Sequence, residues 1–89
     1  MRESLLEKKF VKFCSNKGWL SIKQEGFRGI SDRLVIADQG RIFFVELKRD
    51  QSQRLSPAQI EFHAFLQKNG HKTYVFRSVQ DFEVLNDID

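Results

Sequence analysis

The stretch Asp32–Arg49, "DRLVIADQGRIFFVELKR", decides the fold. Two apolar runs flank Asp38-Gln39-Gly40, a turn-forming tripeptide, and together they read as a β-hairpin. A pivot between Gln39 and Gly40 places opposite each other residues whose numbers sum to about 78 or 79. Asp32 then lies beside Glu46. Alternation along the second strand puts Ile42, Phe44, Glu46 and Lys48 on one face and Phe43, Val45 and Leu47 on the other. A strand anchored by apolar residues thus ends in a carboxylate and an ammonium, with a second carboxylate across from them.

Each part is bland alone. An isolated E-x-K reads as a same-face salt bridge, and an isolated Asp32 as a turn residue before a strand. In this register the three act as a unit. Two adjacent carboxylates repel and resist desolvation. A hard divalent cation such as Mg²⁺ or Mn²⁺, which prefers oxygen ligands, relieves both costs. A neighbouring lysine can orient a water or stabilise charge developing on a phosphate.

Outward from the hairpin, residues 3–17 carry Leu6, Phe10, Phe13, Cys14 and Lys17 at helical spacing, with Gly18 as a stop. Glu3 and Glu7 stack along one edge of that stripe. "WLSIKQ" alternates as a strand, and "EGFRGIS" reads as a glycine-containing loop. Downstream, "RDQSQRL" is a polar loop. "SPAQIEFHAFLQKNG" is a helix with Ser56 as N-cap, Pro57 at the first position and Gln59 completing a capping box. "KTYVFR" is a further strand, and "SVQDFEVLND" a short terminal helix. The order α-β-β-β-α-β-α predicts an α/β fold, a mixed sheet flanked by helices, with a parallel crossover through the second helix.

A length of 89 residues fits one domain spanning 1–89. A single core is marginal at this size, and self-association is one remedy. The lone cysteine, Cys14, sits on the apolar face of the first helix and reads as a small buried hydrophobe, which suits a reducing compartment. No apolar run is long enough to span a membrane, and the N-terminus "MRESLLEKK" is charged where a signal peptide is apolar, so a cytoplasmic location is expected. Four acids fall in the last nine residues, leaving the first 80 with 15 basic and 8 acidic side chains. That bias favours a polyanionic partner. Trp19, Phe43 and Phe44 read as core, and His63 as a partly buried helix residue.

"GISDRLVIADQGRIFFVELKR" followed by "LSPAQIEFHAFLQKNG" resembles the virus-type replication-repair nuclease (VRR-NUC) domain of the PD-(D/E)XK, restriction-endonuclease-like superfamily. Its pattern is G-x-P-D, an apolar strand, a turn, an apolar strand ending in E-x-K, and a helix opening with Gln. The resemblance implies a metal-dependent DNA endonuclease with Asp32 and Glu46 as metal-binding carboxylates, the Leu47 carbonyl as a further ligand, and Lys48 as the catalytic lysine. It makes Gln59 a site glutamine, a role that stands level with its capping role. It also implies a carboxylate from the first helix. "EKKFVKFCSNKG" is similar to a pattern in archaeal Holliday-junction resolvases and puts Glu7 in that place, ahead of Glu3. Ser31 departs from the family's proline, which loosens the start of the strand without removing a ligand. Lys9, Arg28, Arg33, Arg49 and Arg54 are candidate phosphate contacts, although each alone reads as a solvated charge. Stand-alone members resemble four-way-junction resolvases acting as homodimers, and their setting is that of a phage. A catalytically silent nucleic-acid-binding module and a monomeric flap-type nuclease are the alternatives.

Overall fold

The structure is a computed structural model that describes residues 4–26 and 28–87. Glu3 lies outside the described residues. The first helix, α1 (Leu5–Asn16), starts at Ser4, whose hydroxyl accepts from the Glu7 backbone N–H at 3.1 Å. It runs into β1 (Leu20–Lys23), β2 (Arg33–Ile36) and β3 (Ile42–Leu47). A second helix, α2 (Pro57–Lys68), leads to β4 (Lys72–Phe76), and 3₁₀ turns over Val79–Asp87 end the fold.

The four strands form one sheet in the order β1-β2-β3-β4. β1–β2 and β2–β3 pair antiparallel, and β3–β4 pair parallel through the α2 crossover. In the β2–β3 hairpin Arg33 faces Val45, Leu34 faces Phe44, and Ile36 faces Ile42. The pivot is Gln39, which takes the left-handed conformation at φ 55°, with Gly40 following at φ 73°. Two consecutive left-handed residues are what a short turn between right-twisted strands demands.

This register divides the side chains between two faces. Val35, Phe43, Val45, Tyr74 and Phe76 point toward α1, where they pack with Phe10, Cys14, Trp19, Phe82 and Leu85. Phe10 meets Phe82 edge-on at 5.1 Å between ring centroids, and Trp19 meets Phe43 at 5.9 Å. Burial pushes the Cys14 thiol up to about 12, so it is an inert core residue. The other face belongs to α2. Phe44 is there, only partly buried, and stacks edge-on with Phe62 rather than joining the main core.

The terminal segment forms 3₁₀ turns rather than an α-helix. Phe82 and Leu85, three residues apart, are both buried, and a three-residue period suits a 3₁₀ repeat. Asp81 anchors its start by accepting from the backbone N–H groups of Arg77 and Ser78.

Candidate active site

The C-terminal ends of β1, β3 and β4 and the start of β2 lie at one end of the sheet, because β2 alone runs the other way. Continuing the hairpin register by one step sets Asp32 opposite Glu46. On its other edge Asp32 is held by β1, since the Gln24 N–H donates to the Asp32 carbonyl at 3.0 Å. The Asp32 carboxylate accepts from the Leu47 N–H at 2.7 Å, which ties it to the end of β3. Asp32, Glu46 and Lys48 all project from the face covered by α2.

Two residues of α2 complete the group. Lys48 is buried at 7% exposure, and its Nζ donates to Gln59 Oε1 at 2.9 Å. The same oxygen accepts from the Ser56 N–H at 2.9 Å, while Ser56 Oγ accepts from the Gln59 N–H at 3.1 Å. Gln59 therefore caps the helix and at the same time holds the Lys48 ammonium. One turn later, His63 Nε2 lies 3.2 Å from Ser31 Oγ and 3.7 Å from Glu46 Oε2. Ser31 and His63 are both buried and belong to this cluster, although the sequence marked neither as functional.

The electrostatics are those of a crowded anionic site. Burial raises Asp32 from its ordinary value of 3.8 to about 7, helped by a hydrogen bond with Glu46 and by that carboxylate's charge. The Leu47 N–H and Lys48 oppose the shift without cancelling it. Glu46 is 1% exposed, and its Oε2 has no hydrogen-bond partner. An orphaned buried carboxylate oxygen is costly. Oxygen donors that crowd until a proton is retained near neutral pH are the donor set a hard cation takes. The residues present fit a divalent metal.

Glu7 is placed elsewhere. Its Oε2 accepts from Arg33 Nε at 3.0 Å, on the α1 side of the sheet. Among the described residues, no three His, Cys, Asp or Glu side chains gather as a ready-made metal cluster. Glu7 is thus held by Arg33, the sequence neighbour of Asp32. Arg33 in turn is 5% exposed and is not a surface contact for phosphate. Its strand position pairs it with Val45, so alternation turns it toward α1. Arg28, Arg49 and Arg54 are exposed on the segments flanking the site, residues 28–32 and 48–56, and Lys9 is exposed on α1. The second loop is fastened from within: Asp50 accepts from Ser52 and Gln53, and the Arg77 guanidinium donates to the carbonyls of Asp50 and Gln53.

The VRR-NUC domain family matches this chain over residues 2–80. The chain belongs to the VRR-NUC domain family. It is 36% identical over 80 residues to "Putative nuclease p44" of Acyrthosiphon pisum secondary endosymbiont phage 1, an alignment covering 88% of this chain and 85% of the phage protein. A solved VRR-NUC domain superposes with a TM-score of 0.83 at 29% identity, over 94% of both chains. The mixed sheet flanked by helices is thus the VRR-NUC form of the PD-(D/E)XK core, and the site described above lies within a nuclease domain.

Proposed function

We propose that residues 1–89 form one nuclease domain that hydrolyses DNA phosphodiesters with Mg²⁺ or Mn²⁺. The carrying observation is the Asp32–Glu46–Lys48 arrangement at one end of the sheet, with Asp32 raised to about 7 and Glu46 Oε2 buried without a hydrogen-bond partner. Asp32 and Glu46 would hold the cation. The Leu47 carbonyl is a third candidate, since an extended residue directs its N–H and C=O to the same neighbour and the Leu47 N–H already reaches Asp32. A cation bound there supplies Lewis acidity, drawing charge from a phosphate oxygen and making water more acidic.

The chain's own residues supply the rest. Lys48, oriented by Gln59, presents its ammonium where charge develops as a water oxygen attacks phosphorus and the P–O bond to the leaving sugar oxygen breaks. Arg28, Arg49 and Arg54 are exposed around the site and suit contacts to the DNA backbone, with Lys9 further out on α1. Glu7 and Arg33 brace α1 against β2, the strand that follows Asp32.

The proposed substrate is branched DNA, with the four-way junction first, cut by a homodimer in the cytoplasm of a cell hosting the phage. A dimer suits the surface. Leu20, Ile22, Ile36 and Ile42 are exposed on the sheet face that α2 covers only near β3 and β4, and the Leu20–Ile36 and Ile36–Ile42 pairs make them one patch. A second copy would bury it symmetrically. No described helix is long and apolar enough to cross a membrane.

The test is cleavage of labelled four-way junction, flap and duplex DNA in Mg²⁺, Mn²⁺ or EDTA, with mass measured by light scattering. Paired incisions across a junction by a dimer support the proposal. Flap cutting by a monomer replaces the substrate and the assembly but keeps the site. Tight junction binding with no cleavage in either metal replaces the enzyme with a binding module.

A further inference from the structure

Glu46 is 1% exposed and lies beside Asp32, whose carboxyl it helps to raise. Its Oε2 is buried without a hydrogen-bond partner. The side chain beside that oxygen is His63, whose Nε2 is 3.7 Å away, beyond hydrogen-bond range but within ion-pair range. His63 is not adrift, because the same nitrogen is 3.2 Å from Ser31 Oγ. Ser31 is fully buried, and His63 is 6% exposed. Three buried polar groups, Ser31, His63 and Glu46, thus form a row from the loop before β2, through α2, to the end of β3.

The row is held from both ends. Gly29, with φ +86°, brings the loop so close to α2 that a Cβ there would lie 2.5 Å from the Ala58 carbonyl oxygen. That approach carries Ser31 to His63. On the same helix, Gln59 is fixed by its cap and by Lys48. A histidine placed for packing alone would not set its inward nitrogen between a buried hydroxyl and a buried carboxylate.

We propose that His63, steadied by Ser31, is a positioning residue that orients the Glu46 carboxylate for cation binding. The inference rests on the metal-dependent reading of the site. His63 acts on the carboxylate from its buried place on α2, at Oε2. A ring nitrogen at that position restricts the rotation of Glu46, so the carboxylate stays directed at the place shared with Asp32. Partners of this kind typically change metal affinity or activity by about 10–100-fold when removed.

The test compares wild type with His63→Leu, His63→Gln, His63→Ala and Ser31→Ala, each checked for fold by circular dichroism. Mn²⁺ affinity is measured by calorimetry without DNA, and kcat and KM are measured on a four-way junction. Leu keeps bulk without a polar atom, whereas Gln returns a polar terminus near the place of Nε2. The expected result is a Kd for Mn²⁺ raised about 10–100-fold in His63→Leu, largely restored in His63→Gln, and raised less in Ser31→Ala. The loss should fall on kcat, with KM for DNA little moved. Wild-type Mn²⁺ affinity in His63→Leu overturns the inference and leaves the nuclease reading standing. Should His63→Leu not fold, wild-type affinity in Ser31→Ala together with no advantage of His63→Gln over His63→Ala overturns it equally. Absence of Mn²⁺ binding and of cleavage by wild type overturns both.

Discussion

Lys48 and Gln59 meet through one oxygen that also caps a helix: Gln59 Oε1 accepts from Lys48 Nζ and from the Ser56 N–H, each at 2.9 Å. The start of α2 and the proposed catalytic lysine are therefore fastened at one atom. Gln59→Ala should lower stability by about 1 kcal/mol, the usual value of a cap contact, and lower kcat as well. Gln59→Glu keeps an acceptor for both donors and should recover the stability. Urea denaturation beside junction cleavage separates the effects, and a fully active Gln59→Ala variant would remove Gln59 from the site.

The Asp32–Glu46 pair gives the metal-free protein a pH dependence of known sign. Asp32 retains its proton up to about 7 when folded but only to its ordinary 3.8 when unfolded. Between these values the folded state binds more protons. Stability should therefore fall as pH rises from about 4 to about 7, and remain lowered above that. Asp32→Asn should remove the decline and be the more stable protein at pH 8 by about 1–2 kcal/mol, a figure reduced for the solvent that still reaches the carboxyl. Denaturation at pH 5 and pH 8 in EDTA measures it. Because the cation competes with that proton, apparent Mn²⁺ affinity should strengthen as pH rises toward 7.

Gly29 is a contact that no other residue can make. Its positive φ strains any side chain, and the 2.5 Å at which a Cβ would meet the Ala58 carbonyl oxygen excludes one. Gly29→Ala should cost about 2 kcal/mol or more. It should also reduce cleavage beyond what lost stability explains, because the loop that carries Ser31 and Asp32 would shift away from α2. Thermal unfolding and single-turnover cleavage below the transition test this together.

The Glu7–Arg33 ion pair braces α1 against β2, with side chains 13% and 6% exposed. Glu7→Ala should destabilise by about 1–3 kcal/mol, and a double-mutant cycle with Arg33→Ala should give a coupling of about 1 kcal/mol or more. Cleavage per folded molecule should fall far less than in Asp32→Ala. An equal loss with unchanged stability would return Glu7 to a direct catalytic role.

Much of this was legible in the sequence because short-range rules govern it. The turn at Asp38–Gly40 sets the hairpin register, and that register brings Asp32 to Glu46. Ser56, Pro57 and Gln59 mark the start of α2 with a capping box that the structure contains. The rest depends on which faces meet. Arg33 reads as a surface cation by type, yet its even spacing from Val35 assigns it to the core side, and that spacing was the available signal. His63 and Ser31 lie 32 residues apart in sequence and meet only because Gly29 lets a loop close on a helix. No local pattern encodes that meeting. Three-residue spacing of Phe82 and Leu85 was the clue to 3₁₀ turns in the terminal segment.

In the proposed mechanism Asp32 and Glu46 together receive a divalent cation. Anomalous diffraction from a crystal soaked in Mn²⁺ addresses it most directly. One strong peak is expected between the two carboxylates, on the side of the Leu47 carbonyl, absent in Asp32→Ala. A Mn²⁺ peak held by other residues, or no peak at this end of the sheet in a protein that cuts DNA, would contradict it.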